Sequence, residues 1–106
     1  MIKAKRRPKA TPMDADLLEL VAAQFRALAE PARLAMLQQL HAGEASVNEL
    51  SEGTGFSQAN TSKHLSMLHA AGFLKRTKRG TSVVYSIADP MVHELCNLMC
   101  ARVSKL

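Results

Sequence analysis

Two groups of residues in this sequence have types and spacings that could do chemistry. The first is Cys96 and Cys100, the chain's two cysteines. Four apart on a helix, both project from one side. Asp89 and His93 fall on much the same stripe, giving Asp-x-x-x-His-x-x-Cys-x-x-x-Cys. The Cβ atoms of such a cysteine pair lie about 5–6 Å apart, whereas a disulfide wants roughly 3.5–4.5 Å. A direct intrahelical disulfide would therefore strain or unwind the turn. Two thiolates at this spacing could instead clasp a soft ion such as As(III), Cd(II) or Cu(I). A bridge with extra sulfur atoms, or a bond to a partner subunit, is also sterically open. His93 to Cys100 covers about 10 Å of helix, so one ion is not expected to hold His93 and both thiols of one chain. The alternative is that both cysteines are small apolar residues in a packed seam.

The second group lies between Phe56 and Leu68. Ser57 is suited to cap a helix N-terminus, and Thr61, Leu65 and Leu68 then recur at helical spacing as an inward face. The other face carries Gln58, Asn60, Ser62, Lys63 and Ser66 and no carboxylate. Amides and hydroxyls can read base edges in a major groove, and Lys63 can neutralise a phosphate; an acid would be repelled by DNA. The bland alternative is a solvated surface helix.

The elements that must position these groups follow from the rest of the chain. A length of 106 residues implies one domain with a modest core. Hydrophobic residues make up 47% and aromatics 4%, without Trp, so packing must rest on Leu, Ala, Val and Met. No apolar run approaches a membrane span and no secretory segment is evident, which argues for a soluble cytoplasmic protein. Two cysteines are too few for a disulfide framework, and in a reducing compartment both would be thiols.

The net charge of +5 is unevenly spread. Residues 1–9 hold Lys3, Lys5, Arg6, Arg7 and Lys9 and no acid, whereas residues 10–56 hold seven acids against Arg26 and Arg33. Residues 57–88 hold Lys63, Lys75, Arg76, Lys78 and Arg79, again without an acid. Such asymmetry is the electrostatic footprint of a phosphate-binding face. Residues 1–13, basic and punctuated by Pro8 and Pro12, read as a disordered tail, either solubilising or reaching for DNA. Residues 14–106 read as the folded domain.

Within it, Asp14 or Asp16 opens a helix with Leu17, Leu18, Val21, Phe25 and Leu28 as its apolar side. Pro31 starts a second, with Leu34, Met36, Leu37 and Leu40, closed by Gly43. Ser46 and Glu49 fit a capping box that opens a third, with Val47 and Leu50 inward. Gly53 and Gly55 bracket a tight turn into the polar helix, whose end is marked by Gly72. Two short helices with a glycine turn between them describe a helix-turn-helix.

Phe73–Lys78 and Ser82–Ile87 then read as a hairpin, with Val83, Tyr85 and Ile87 on one face and Arg79-Gly80-Thr81 as its loop. A basic hairpin after a helix-turn-helix is a wing placed to lie along DNA; otherwise it is an edge ribbon guarded by charge. Pro90 starts the last helix, with Val92, Leu95, Cys96, Met99 and Val103 along one stripe. That helix and the first are too apolar for so small a domain to cover, and a two-fold homodimer would bury both. The fold class is thus mainly α with a β-hairpin wing (α+β), a homodimeric winged helix-turn-helix.

The order of these elements, with particular strings, resembles the ArsR/SmtB family of bacterial winged-helix repressors. The strings are Leu28-Ala29-Glu30-Pro31-Ala32-Arg33-Leu34, Ser57-Gln58 with Ser62-Lys63-His64-Leu65, and Tyr85-Ser86-Ile87-Ala88-Asp89-Pro90. The likeness runs from about residue 16 to 103. It implies homodimers that repress transcription and leave operator DNA when a metal, metalloid or redox signal arrives. It also implies that Ser57, Gln58, Ser62 and His64 lie in the reading helix, and Arg79, Gly80, Thr81 and Ser82 in the wing tip. For His64 a bond to phosphate or nearby backbone is expected over base readout. The chain departs from the family's metal sites: Ala45-Ser46-Val47-Asn48-Glu49-Leu50 lacks the cysteine pair some members place in the third helix. At the final-helix zinc-type site Asp89 matches, but Met91, Arg102 and Lys105 stand where ligands are needed.

The leading expectation is therefore a repressor that binds double-stranded operator DNA through Ser57, Gln58, Asn60, Ser62, Lys63, His64, Lys78, Arg79, Thr81 and Ser82. Cys96 and Cys100 are its candidate sensor for a metalloid, an oxidant or reactive sulfur. A winged-helix regulator without thiol sensing and a winged-helix protein-interaction module are the alternatives. No phosphate loop, Ser–His–Asp arrangement or carboxylate pair suggests an enzyme.

Overall fold

The computed structural model describes residues 12–106. The basic tail therefore lies outside the described residues, apart from Pro12 and Met13. Helix α1 spans Ala15–Leu28, and the Asp14 carboxylate caps it by accepting the Leu17 amide at 2.9 Å. Pro31 occupies the first position of α2, Pro31–Leu40, where its missing N–H costs nothing. Ser46 and Glu49 form the expected reciprocal capping box at the start of α3, Val47–Thr54. Ser57 caps α4, Gln58–Ala70, and α5 covers Met91–Val103.

Strands β2, Leu74–Arg79, and β3, Ser82–Ile87, pair antiparallel, with Leu74 opposite Ile87 and Arg79 opposite Ser82. A third strand, β1, consists of Ala45 and Ser46 and pairs with the other side of β3, giving the order β1-β3-β2. Two residues with no alternation carry no strand signal, so β1 is legible only in three dimensions.

Two local expectations need correction. Gly53 does not bracket a turn; it lies inside α3, where a Cβ would meet the Gln39 side-chain oxygen at 2.7 Å. The turn belongs to Gly55, whose φ of 81° is the left-handed conformation that ends α3. The wing loop is Gly80-Thr81 alone, because Arg79 is paired within the ladder; Gly80 at φ 63° supplies the positive φ a two-residue hairpin requires. Val47 and Leu50 of α3 face inward as expected, Leu50 buried and Val47 half-buried against the core.

The core gathers Met36, Leu37 and Leu40 of α2, Leu50 of α3, Leu65 and Leu68 of α4, Phe73, Leu74 and Tyr85 of the hairpin, and Val92 of α5. Helix α1 contributes Leu28 alone to it. Leu17, Leu18, Leu20 and Phe25 of α1 remain exposed, as do Leu98, Met99 and Val103 of α5.

Candidate nucleic-acid interface and effector face

Helix α4 is held from inside the chain. Thr61, Leu65 and Leu68 are fully buried, while Gln58, Asn60, Ser62, Lys63 and Ser66 stay exposed. Ser57 Oγ accepts the Asn60 amide at 3.1 Å, which commits that hydroxyl to the cap. Gln58 Nε2 donates to Asn48 Oδ1 of α3 at 2.6 Å, leaving the amide's oxygen and its second N–H uncommitted.

His64 has a role the sequence reading missed. It is half-buried, and its Nδ1 lies 3.2 Å from Nη1 of Arg33, which is 8% exposed. A guanidinium only donates, so Nδ1 must be the acceptor and the ring proton sits on Nε2. Arg33 also donates to the carbonyl oxygens of Ala27 at 2.6 Å and Arg26 at 3.2 Å, and approaches Met67 Sδ at 3.4 Å. No carboxylate joins this contact. The C-terminal carbonyls of α1, where the helix dipole is negative, compensate the buried cation instead. Gln24 adds a second tie from α1, donating to the Ala71 carbonyl at 2.9 Å just beyond α4. The signal for Arg33 was the single charged residue of α2, flanked by Ala32 and Leu34.

On the hairpin, Lys78, Arg79, Thr81 and Ser82 are exposed, as are Lys75 and Arg76. Arg79 forms a two-point ion pair with Glu44, at 2.7 and 3.0 Å. Both side chains are open to solvent, so this bond contributes at most about 1 kcal/mol and can be exchanged for a phosphate.

The stripe Asp89, His93, Cys96, Cys100 does not converge. Asp89 Oδ1 accepts the Met91 amide at 2.9 Å at the start of α5. His93 turns to His41, the residue after α2, with Nδ1 and Nε2 2.9 Å apart. Cys96 is half-buried and Cys100 exposed. Burial, and then the neighbouring Cys100, push the Cys96 thiol up from its ordinary pKa, so it is predominantly neutral at pH 7. Among the described residues no three His, Cys, Asp or Glu side chains come together as metal ligands. Cys96 and Cys100 instead border an open apolar groove of about 860 Å³ between α1, α2 and α5, with Phe25, Leu34, Leu37, Leu95 and Met99.

This architecture has known counterparts. The model of the bacterial regulatory protein arsR family matches residues 30–76. The HTH-type transcriptional regulator NmtR of Mycobacterium tuberculosis is 36% identical over 89% of this chain and 78% of its own length. The chain belongs to the ArsR family. A probable mercury resistance operon repressor of Streptomyces lividans is 42% identical over 74% of this chain and 61% of its own. In three dimensions, the homodimeric winged helix-turn-helix DNA-binding domain of Mb0332 from Mycobacterium bovis matches with a TM-score of 0.80 at 29% identity, covering 93% of this chain and 92% of that one. As an ArsR-family winged-helix repressor, the protein is a DNA-binding transcriptional regulator and not an enzyme. No described helix is long and apolar enough to cross a membrane.

Proposed function

We propose that this ArsR-family chain is a cytoplasmic homodimer that occupies double-stranded operator DNA and leaves it when a soft metal or metalloid ion engages Cys96 and Cys100. One observation carries this reading: Cys96 borders the same apolar groove as the exposed Phe25 and Met99, the residues a second copy would cover. A ligand on the thiols would then act on the seam that sets the distance between two reading helices. Two thiols one helical turn apart suit a thiophilic ion. A coupling of about 1.4 kcal/mol between ion and operator already changes affinity tenfold.

The DNA side of the proposal assigns Gln58, Asn60 and Ser62 to base edges and Lys63, Lys78, Arg79, Thr81 and Ser82 to the phosphate backbone. His64 is assigned to positioning α4 through Arg33, and Ser57 to its cap. Gln58→Ala should weaken binding to a duplex selected by the protein itself by about 1–3 kcal/mol while sparing random DNA. Equal losses on both duplexes would remove Gln58 from base readout.

The switch is tested by challenging the reduced protein on that duplex with arsenite, Cd(II), peroxide and a persulfide donor in separate reactions. Arsenite or Cd(II) should release the parent, and the Cys96→Ser/Cys100→Ser variant should bind equally well yet resist release. If the variant leaves the duplex at the same ion concentration as the parent, the cysteines are packing residues.

A further inference from the structure

Asn48 and Gln58 are ten residues apart in the chain and stand in the first turns of successive helices, α3 and α4. Both first turns are pinned by local chemistry. The Ser46–Glu49 capping box holds one, and the Ser57 hydroxyl holds the other. Strand β1 steadies the start of α3 further, since Ala45 and Ser46 pair with Tyr85 and Val84 of β3. Between these fixed starts, Gln58 Nε2 donates to Asn48 Oδ1 at 2.6 Å, and both side chains are open to solvent.

A glutamine amide carries one oxygen and two N–H groups, one beside the oxygen and one pointing away from it. A bond to Asn48 through the outer N–H leaves the oxygen and the inner N–H side by side on the free edge. One acceptor next to one donor is the complement of adenine in the major groove, where N6–H₂ donates and N7 accepts. Guanine presents two acceptors there, O6 and N7, and calls for two donors. Asn48 supplies the holding acceptor without a charge; a carboxylate in its place would be repelled by the phosphates.

We propose that Asn48 is a positioning residue that sets the specificity of α4, holding the Gln58 amide by its outer N–H so that Gln58 reads an adenine bidentately. Asn48 itself touches no base. The role rests on the assignment of Gln58 to a base edge, and adds to it which base is read and what orients the amide. Gln58 is the first residue of α4, and the N-terminal residues of a recognition helix are those that approach base edges. A side chain already held in its binding geometry meets less ordering cost when DNA arrives. The direction of the bond also fixes which base is accepted. Were Asn48 the donor and the Gln58 oxygen the acceptor, Gln58 would offer DNA only its two N–H groups.

The full-length protein is tested on the duplex it selects, with each base pair of the half-site substituted in turn. Gln58→Ala should erase the preference at one position, and that position should hold adenine. Replacing this adenine with 7-deazaadenine, which lacks N7, should weaken the parent about fivefold or more and leave Gln58→Ala unaffected. Asn48→Ala should weaken binding to the selected duplex about three- to tenfold, with the loss confined to discrimination at that position and none on random DNA. In the Gln58→Ala background it should cost nothing further. Asn48→Asp keeps an acceptor for the outer N–H, so it should retain the adenine preference while binding every duplex more weakly. Guanine at the Gln58-dependent position, full discrimination in Asn48→Ala, additive losses in the double variant, or lost preference in Asn48→Asp would each overturn the role of Asn48 and leave Gln58 in base readout. If no position depends on Gln58, base readout by Gln58 and the role of Asn48 fall together. The base identity is read without any change at Asn48, and the Asp variant decides the orienting role even if the Ala variant fails to fold.

Discussion

Helices α4 and α5 are both thirteen residues long, and they are held in opposite ways. Helix α4 buries Thr61, Leu65 and Leu68 completely and is tied to α3 by Gln58 and to α1 and α2 through Arg33. Helix α5 buries Val92 alone and leaves Leu98 71% and Val103 57% exposed. The orientation of α4 is thus set by its own chain. The outer part of α5 has no such support, and its placement depends on what covers it. Under the proposed function this division is useful: the helix assigned to DNA is oriented by its own chain, and the helix assigned to partner and ligand is not.

Substitutions at three positions can break or sharpen this contrast. The largest effect is expected from Met99→Asp. In an isolated chain Met99 is half-exposed, and a charge there would cost little; in a dimer seam it becomes an unpaired buried charge costing about 3–5 kcal/mol. Sedimentation should show monomers, and operator affinity should collapse. A variant that stays dimeric would move the interface away from this stripe of α5.

Arg33→Met attacks the other side of the comparison. It strands the Ala27 carbonyl and the His64 Nδ1 and should cost about 2–3 kcal/mol in urea unfolding. Arg33→Lys should recover little, since a lysine cannot reproduce the planar fork that spans these acceptors. Full stability in the Lys variant would mean that charge alone, not the bridge between α1 and α4, is what matters there.

The smallest effect is a gain. Thr61 Oγ1 is buried with no hydrogen-bond partner among the described residues. Thr61→Val should therefore stabilise the fold by about 1 kcal/mol without altering DNA binding. A loss of stability on the same urea curve would show that the hydroxyl has a partner, such as a bound water.

Much of this molecule is legible along the chain. Asp14, Ser46 with Glu49, and Ser57 mark helix starts by local chemistry, because a cap bonds to amides two or three residues away. The leucine spacing of α4, the acid-free block from residue 57 to 88 and the apolar excess of α1 and α5 are likewise properties of neighbouring residues. The spacing placed Asp89, His93 and both cysteines on one stripe; the fold gave Asp89 to a helix start and His93 to His41.

Which distant residues meet was decided by the tertiary structure. Ala45 and Ser46 become a strand only because β3 offers them an edge. Arg33 meets His64, Arg79 meets Glu44 and His41 meets His93 across thirty-one, thirty-five and fifty-two residues. The physical reason is that helix periodicity and capping act within a turn or two, whereas these pairs depend on how whole helices and strands dock. Docking is set by the buried core of Met36, Leu37, Leu50, Leu65 and Leu68, and not by any property of the pairs themselves.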